Sequence, residues 1–105
     1  MSQHPPNARV VFFEPGRLAF ECPGCAGALH AINVPVEGQP RPAQCWTFNG
    51  DFERPTIAPS VLCTWGDPLG SERCHSFIRE GRIEYLGDCT HALAGQTVDL
   101  PVFED

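Results

Sequence analysis

Cys22-Pro23-Gly24-Cys25 sets two thiols three positions apart on what reads as a turn. A C-x-x-C turn lets two thiolates converge on one ion, with Pro and Gly shaping the bend and exposing backbone N–H groups to sulfur. A second concentration of such residues lies in Cys74–His91, CHSFIREGRIEYLGDCTH, with two cysteines, two histidines and an aspartate. The chemistry this pattern suggests is zinc ligation. Zinc needs four N/S donors for a closed structural site, or three plus water for a catalytic one. The first set to consider is Cys22, Cys25, Cys74 and Cys89. The second is Cys22, Cys25 and His30 with Cys89 or His91. Cys22-x2-Cys25-x4-His30 matches the first three ligands of a zinc knuckle, but the fourth would fall at Pro35, so a self-contained knuckle fails. A redox dithiol would want the first cysteine to open a helix, whereas a β-like segment follows. Buried cysteines acting as small hydrophobes are the bland alternative for Cys74 and Cys89. Cys45 and Cys63 sit within apolar runs and read as core.

His75, Asp88 and His91 make a candidate polar cluster, in which a carboxylate would fix a histidine tautomer. Asn49, Asp51, Thr56 and Ser60 lie in a polar, proline-bounded stretch that suits a wall beside it. These residues together are the expected functional surface. Taken singly, each also reads as a turn or capping group. Ser60 has no G-x-S-x-G setting, and no phosphate loop is present.

The element that must position these side chains is a β-hairpin turning at Glu80-Gly81, where glycine supplies positive φ. Opposing Arg79 to Arg82 opposes Ile78 to Ile83 and Ser76 to Tyr85, with Cys74 facing Gly87. Alternation then puts Cys74, Ser76, Ile78, Ile83, Tyr85 and Cys89 on one face. His75, Phe77, Leu86 and Asp88 take the other. Further strands are expected at 9–14, 17–22, 28–34, 45–49, 60–65 and 96–103. The two prolines of 54–60 argue against a central strand there. Thr90 is expected to cap a short helical turn at 91–94. Many short strands with turn signals predict a mostly β fold, an antiparallel sandwich or partly open barrel. Residues 1–8 read as a flexible arm and 9–105 as one zinc-binding β domain.

Composition excludes several classes. The net charge is −6, and all seven cations are arginines, so nothing signals nucleic-acid binding. No stretch approaches transmembrane length and no apolar signal core opens the chain, which points to a cytoplasmic protein in a bacterial host. Six cysteines in a reducing compartment favour metal over disulfides.

The runs WTFNGDFERPTIAPSVL (46–62) and CHSFIREGRIEYLGDCTHALAGQTVDLP (74–101), with the Phe20–Cys25 element and His30 before them, resemble a family of small proteins of unknown function encoded largely by bacteriophages and prophages. The resemblance implies a phage or host protein as partner, and a place in the virion as a further possibility. Two functional readings follow. One is a zinc-stabilised β-module that acts by binding. The other is a small metal-dependent hydrolase with an open zinc position and His75, Asp88 or His91 as acid/base.

Overall fold

The computed structural model describes residues 5–66 and 72–103. Eight strands form two antiparallel sheets. The first sheet contains β1 (Val11–Glu14), β2 (Arg17–Cys22) and β3 (Ala28–Asn33), in that order. The second contains β4 (Thr47–Phe48), β5 (Ile57–Trp65), β6 (Glu72–Arg79), β7 (Arg82–Tyr85) and β8 (Thr97–Asp99), also in chain order. The fold is mostly β, and no barrel closes.

The core is the seam between the sheets. Leu18, Phe20, Cys22 and Ile32 from the first meet Ile57, Val61, Cys74, Ile78, Ile83 and Tyr85 from the second. Burial of each large aliphatic or aromatic side chain here contributes about 1.5–3 kcal/mol. The N-terminal segment joins this seam. Ala8 and Val10 are fully buried, and the main chain of Arg9 bonds to Phe52 O at 2.8 Å. The flexible arm expected at 1–8 therefore does not extend to Ala8, and residues 1–4 lie outside those described. So do residues 67–71 and 104–105.

The β6–β7 hairpin has the register the turn chemistry dictates, with Ser76↔Tyr85, Ile78↔Ile83 and Arg79↔Arg82 opposed. Glu80 and Gly81 both have positive φ, 53° and 79°, as a tight two-residue turn requires. Alternation buries Cys74, Ser76 and Ile78 and leaves His75 and Phe77 on the outer face.

Three local expectations are corrected. The proline-bearing stretch is not excluded from the sheet: β5 starts at Ile57 and runs through Pro59 between β4 and β6. It does so because Pro59 sits in an irregularity. Between Ile57↔Ile78 and Val61↔Ser76, four steps along β5 match only two along β6, so no ladder bond is required of the proline. Residues 91–94 form hydrogen-bonded turns, not a helix, and Thr90 does not cap them. Its hydroxyl accepts Arg73 N–H at 2.8 Å, tying the chain to the start of β6. The strands expected at 45–49 and 96–103 shrink to Thr47–Phe48 and Thr97–Asp99.

Candidate functional site

Two clusters occupy opposite faces of β6. The inner one begins where β2 ends. Cys22 is followed by a three-residue 3-10 turn, Pro23–Cys25, which Ala26 closes in the left-handed region (φ 57°). Gly27 N–H returns to Cys22 O at 3.0 Å, and β3 runs back along β2 with His30 opposite Phe20. The turn thus carries Cys22 and Cys25, and the returning strand carries His30. Cys74 arrives from the second sheet, its Sγ 3.7 Å from that of Cys22.

The ligand atoms of Cys22, Cys25, His30 and Cys74 all lie within 4.8 Å of one another. A second group within the same limit is Cys74, Cys89 and His91. Among the described residues every cysteine is a free thiol.

The electrostatics suit a metal. His30 Nδ1 lies 3.1 Å from Cys63 Sγ, and its Nε2 is buried with no hydrogen-bond partner. A buried, orphaned ring nitrogen beside three sulfurs is an unmet requirement that a cation would satisfy. The Cys74 hydrogen bond, with help from His30 and Tyr85, holds the Cys22 thiol down at about 3, which favours its thiolate form. The same bond pushes Cys74 up, and burial raises Cys25. The neighbouring Cys22 and Cys63 sulfurs raise His30 to about 11, so a metal would take the place of the proton held at its ring nitrogen. Three thiols and an imidazole converging on one point are the donor set of a closed tetrahedral zinc-type centre.

A second layer of residues braces this cluster. Tyr85 Oη accepts Gly24 N–H at 2.8 Å and lies 3.2 Å from Cys22 Sγ, so its own proton is free for the thiolate. The His91 ring stands edge-on to Tyr85, with centroids 4.5 Å apart, and packs where a Cβ on Gly24 would go. Any larger residue at that position of the C-x-x-C turn would have to displace the His91 ring.

The outer cluster is built from β5, β6 and the segment after β7. The irregularity at Pro59 re-aims β5 so that Ser60 Oγ lies 3.0 Å from His75 Nε2. The other ring nitrogen, Nδ1, lies 3.2 Å from Asp88 Oδ2. A carboxylate accepts only, so Nδ1 carries the proton and Nε2 is left to accept from the serine hydroxyl. This is a Ser-His-Asp relay in the chain order Ser60, His75, Asp88. The hydrogen bond to His75, with Arg73 at 3.5 Å adding a smaller effect, lowers the Asp88 carboxyl below its ordinary value. The relay is open to solvent: the His75 and Asp88 side chains are 25% and 42% exposed.

Cys89 holds His75 from behind. Its Sγ lies 3.2 Å from both the main-chain N and the main-chain O of His75. The dipeptide Asp88-Cys89 therefore grips the histidine by side chain and backbone together. Trp46 fixes the other partner: its indole N–H donates to Ser60 O at 3.1 Å, while its main-chain N–H donates to Asn33 O of the first sheet.

The other residues of the expected surface lie apart from this relay. Asn49 Oδ1 accepts from Asp51 N and Thr56 N, and Asp51 Oδ1 from Glu53 N and Arg54 N. Thr56 Oγ1 accepts from Glu80 N at 3.0 Å. All three shape turns. His91 belongs with the inner cluster. Tyr85, Trp46 and Cys63 read from the sequence as core, and all three do pack in or against it; their polar contacts to Cys22, Ser60 and His30, and the backbone grip of Cys89, had no signal. Only the periodicity of 60–65, which sets Ser60 and Leu62 against Val61 and Cys63, hinted at which face Ser60 would join.

The family model of the bacterial ubiquitination-like system serine protease (BubE) matches residues 2–86. The chain belongs to this family. The BubE match takes in Ser60, His75 and the four residues of the larger thiol–imidazole group, and ends just before Asp88. The description names a bacterial ubiquitination-like system, and the expected phage or prophage origin is not shown. No curated protein and no solved structure matches the chain. Among the described residues, no helix is long and apolar enough to cross a membrane.

Proposed function

We propose that this chain is a serine protease whose nucleophile, base and orienting carboxylate are Ser60, His75 and Asp88. The observation that carries the proposal is the pair of contacts from His75, Nε2 to Ser60 Oγ at 3.0 Å and Nδ1 to Asp88 Oδ2 at 3.2 Å. Such relays recur on unrelated folds in different chain orders and are recognised by geometry and role. The BubE description supports the same reading.

The steps follow from the atoms. Ser60 Oγ attacks the scissile carbonyl carbon as His75 Nε2 takes its proton. The C–N bond breaks, the proton passes from Nε2 to the leaving amine, and an acyl ester remains on Ser60. Water then attacks the ester with His75 again as base, releasing the acid and returning the proton to Oγ. Asp88 holds the tautomer and stabilises the imidazolium formed at each step. Cys89 steadies the strand that carries the imidazole, because its thiol meets both the N–H and the C=O of His75 on the β7 side. The substrate class the family description suggests is a ubiquitin-like protein or its conjugates.

The inner cluster is, in this proposal, a structural zinc site formed by Cys22, Cys25, His30 and Cys74, with Cys89 directed to His75 instead of the metal. Bound zinc would supply fold stability by tying the two sheets together. Cys74 points inward and His75 outward on the same strand, so the proposed reaction runs on the face away from the metal. A fluorophosphonate probe tests the nucleophile directly. It should label one residue, Ser60, in the folded protein and fail on His75→Ala. Labelling elsewhere, or none, would refute the assignment.

A further inference from the structure

The outer edge of β5 beside Ser60 is an unpaired strip of main chain. His75 O accepts Leu86 N–H at 2.9 Å, so the main-chain groups of His75 face β7. In an antiparallel ladder the N–H and C=O of one residue point the same way, and successive residues alternate. Cys74 and Ser76 must then face β5, and their partners Cys63 and Val61 face back to β6. That leaves Ser60, Leu62 and Thr64 with their main-chain groups directed to the outer edge. An independent contact agrees: Ser60 O is met from that side by the Trp46 indole. β4, the neighbour on this edge, pairs only with Ile57 and Ala58. Among the described residues no main-chain bond reaches Leu62 or Thr64 from outside. Leu62 stands opposite His75 on the triad face and is 53% exposed.

We propose that this edge binds the substrate as an added β-strand, so that the protease acts on an extended, unstructured peptide segment and not on a folded loop. The occupant is set by what lies at the end of the strip. A row of free donors and acceptors at Leu62 and Thr64 leads to the nucleophile, and the Trp46 indole closes it at Ser60. An extended chain paired there gains main-chain hydrogen bonds whatever its sequence, while alternate side chains fall on the apolar surface of Leu62. At about 3.4 Å per residue, Thr64 to Ser60 accommodates some three to four substrate residues on one side of the scissile bond. A folded loop would present a curved backbone that cannot follow the strip.

This inference rests on the protease reading, and the experiment separates the two. Initial rates are measured with p-nitrophenyl acetate, acetyl-trialanine p-nitrophenyl ester, and the same tripeptide ester methylated at each backbone nitrogen in turn. Acetate turnover lost in Ser60→Ala reports the triad alone. For the edge, kcat/KM for the tripeptide ester should exceed that for the acetate by about tenfold or more, and at least one N-methyl group should erase the gain. Equal values for acetate and tripeptide, or indifference to every N-methyl group, would overturn strand addition while leaving the triad standing. If the acetate is not hydrolysed above the Ser60→Ala level, the protease reading fails. The edge is then decided by amide hydrogen exchange with acetyl-trialanine amide, which should slow Leu62 and Thr64 N–H. No slowing at either residue removes the proposal.

Discussion

Cys74 and His75 are adjacent in sequence, yet they serve opposite sides of one strand. Cys74 is buried among thiols, where every polar group needs a partner or a cation. His75 is a quarter exposed and holds a hydrogen-bonded relay in contact with water. The inner face unites the sheets, whereas the outer face brings together three side chains from separate segments. The thiol cluster and the hydrogen-bonded relay are thus divided by the pleat of β6, and a two-residue period keeps them apart.

That division can be broken by mutation, and the largest effect should come from the inner face. Cys22→Ser and Cys74→Ser should each lose the metal and unfold the domain, because a structural zinc site supplies on the order of 10 kcal/mol in small domains. Metal content and thermal melting check this. Excess chelator should do the same to the native chain, more readily as pH falls, since protons compete for the thiolates. A Cys74→Ser protein that melts like the native one but is inactive would collapse the distinction between the faces.

The next effect is on rate alone. Ser60→Ala should lower peptidase or esterase activity by roughly 10⁴-fold or more, while its circular dichroism and melting temperature stay near native. Asp88→Asn should lose less than the ~10⁴-fold found where such a carboxylate is buried, because water can partly replace an exposed one. A steady-state kcat comparison across the three proteins gives the order directly.

The smallest effect concerns pH. The folded-state pKa of Asp88 is depressed by His75. Its contribution to stability is therefore complete above the unfolded value of about 3.9 and is lost as pH falls through the lower folded value. The melting difference between native protein and Asp88→Asn should be small at neutral pH, where solvent screens the pair, and vanish in strong acid. A difference that grows as pH falls below the unfolded carboxylate value of about 3.9 would mean that folding raises the Asp88 carboxyl instead of lowering it.

How much of this was legible beforehand varies by residue. The register of β6 and β7 follows from Gly81 and the alternation around it, so the split between Cys74 and His75 was readable. The Cys22/Cys25 turn was also readable from its local spacing. The fourth member of the larger thiol–imidazole group was not: choosing between His30 and Cys89 requires knowing that β3 returns along β2 and that Cys89 turns to the His75 backbone. Ser60 was the least legible of the relay. Its reach to His75 depends on the irregularity at Pro59 and on pairing across a polar loop, neither of which has a local signature. Proline rules counted against the strand because they assume a regular ladder.

Trp46 gives the molecule a built-in optical reporter. Its indole N–H is bonded to the carbonyl of Ser60, the proposed nucleophile, so a shift of the Ser60 backbone on acylation would change the polarity around the ring and hence its emission. The other tryptophan, Trp65, is 41% exposed at the far end of β5. Replacing Trp65 by Phe leaves Trp46 as the single tryptophan, and stopped-flow tryptophan emission would then follow acylation and deacylation without a chromogenic substrate.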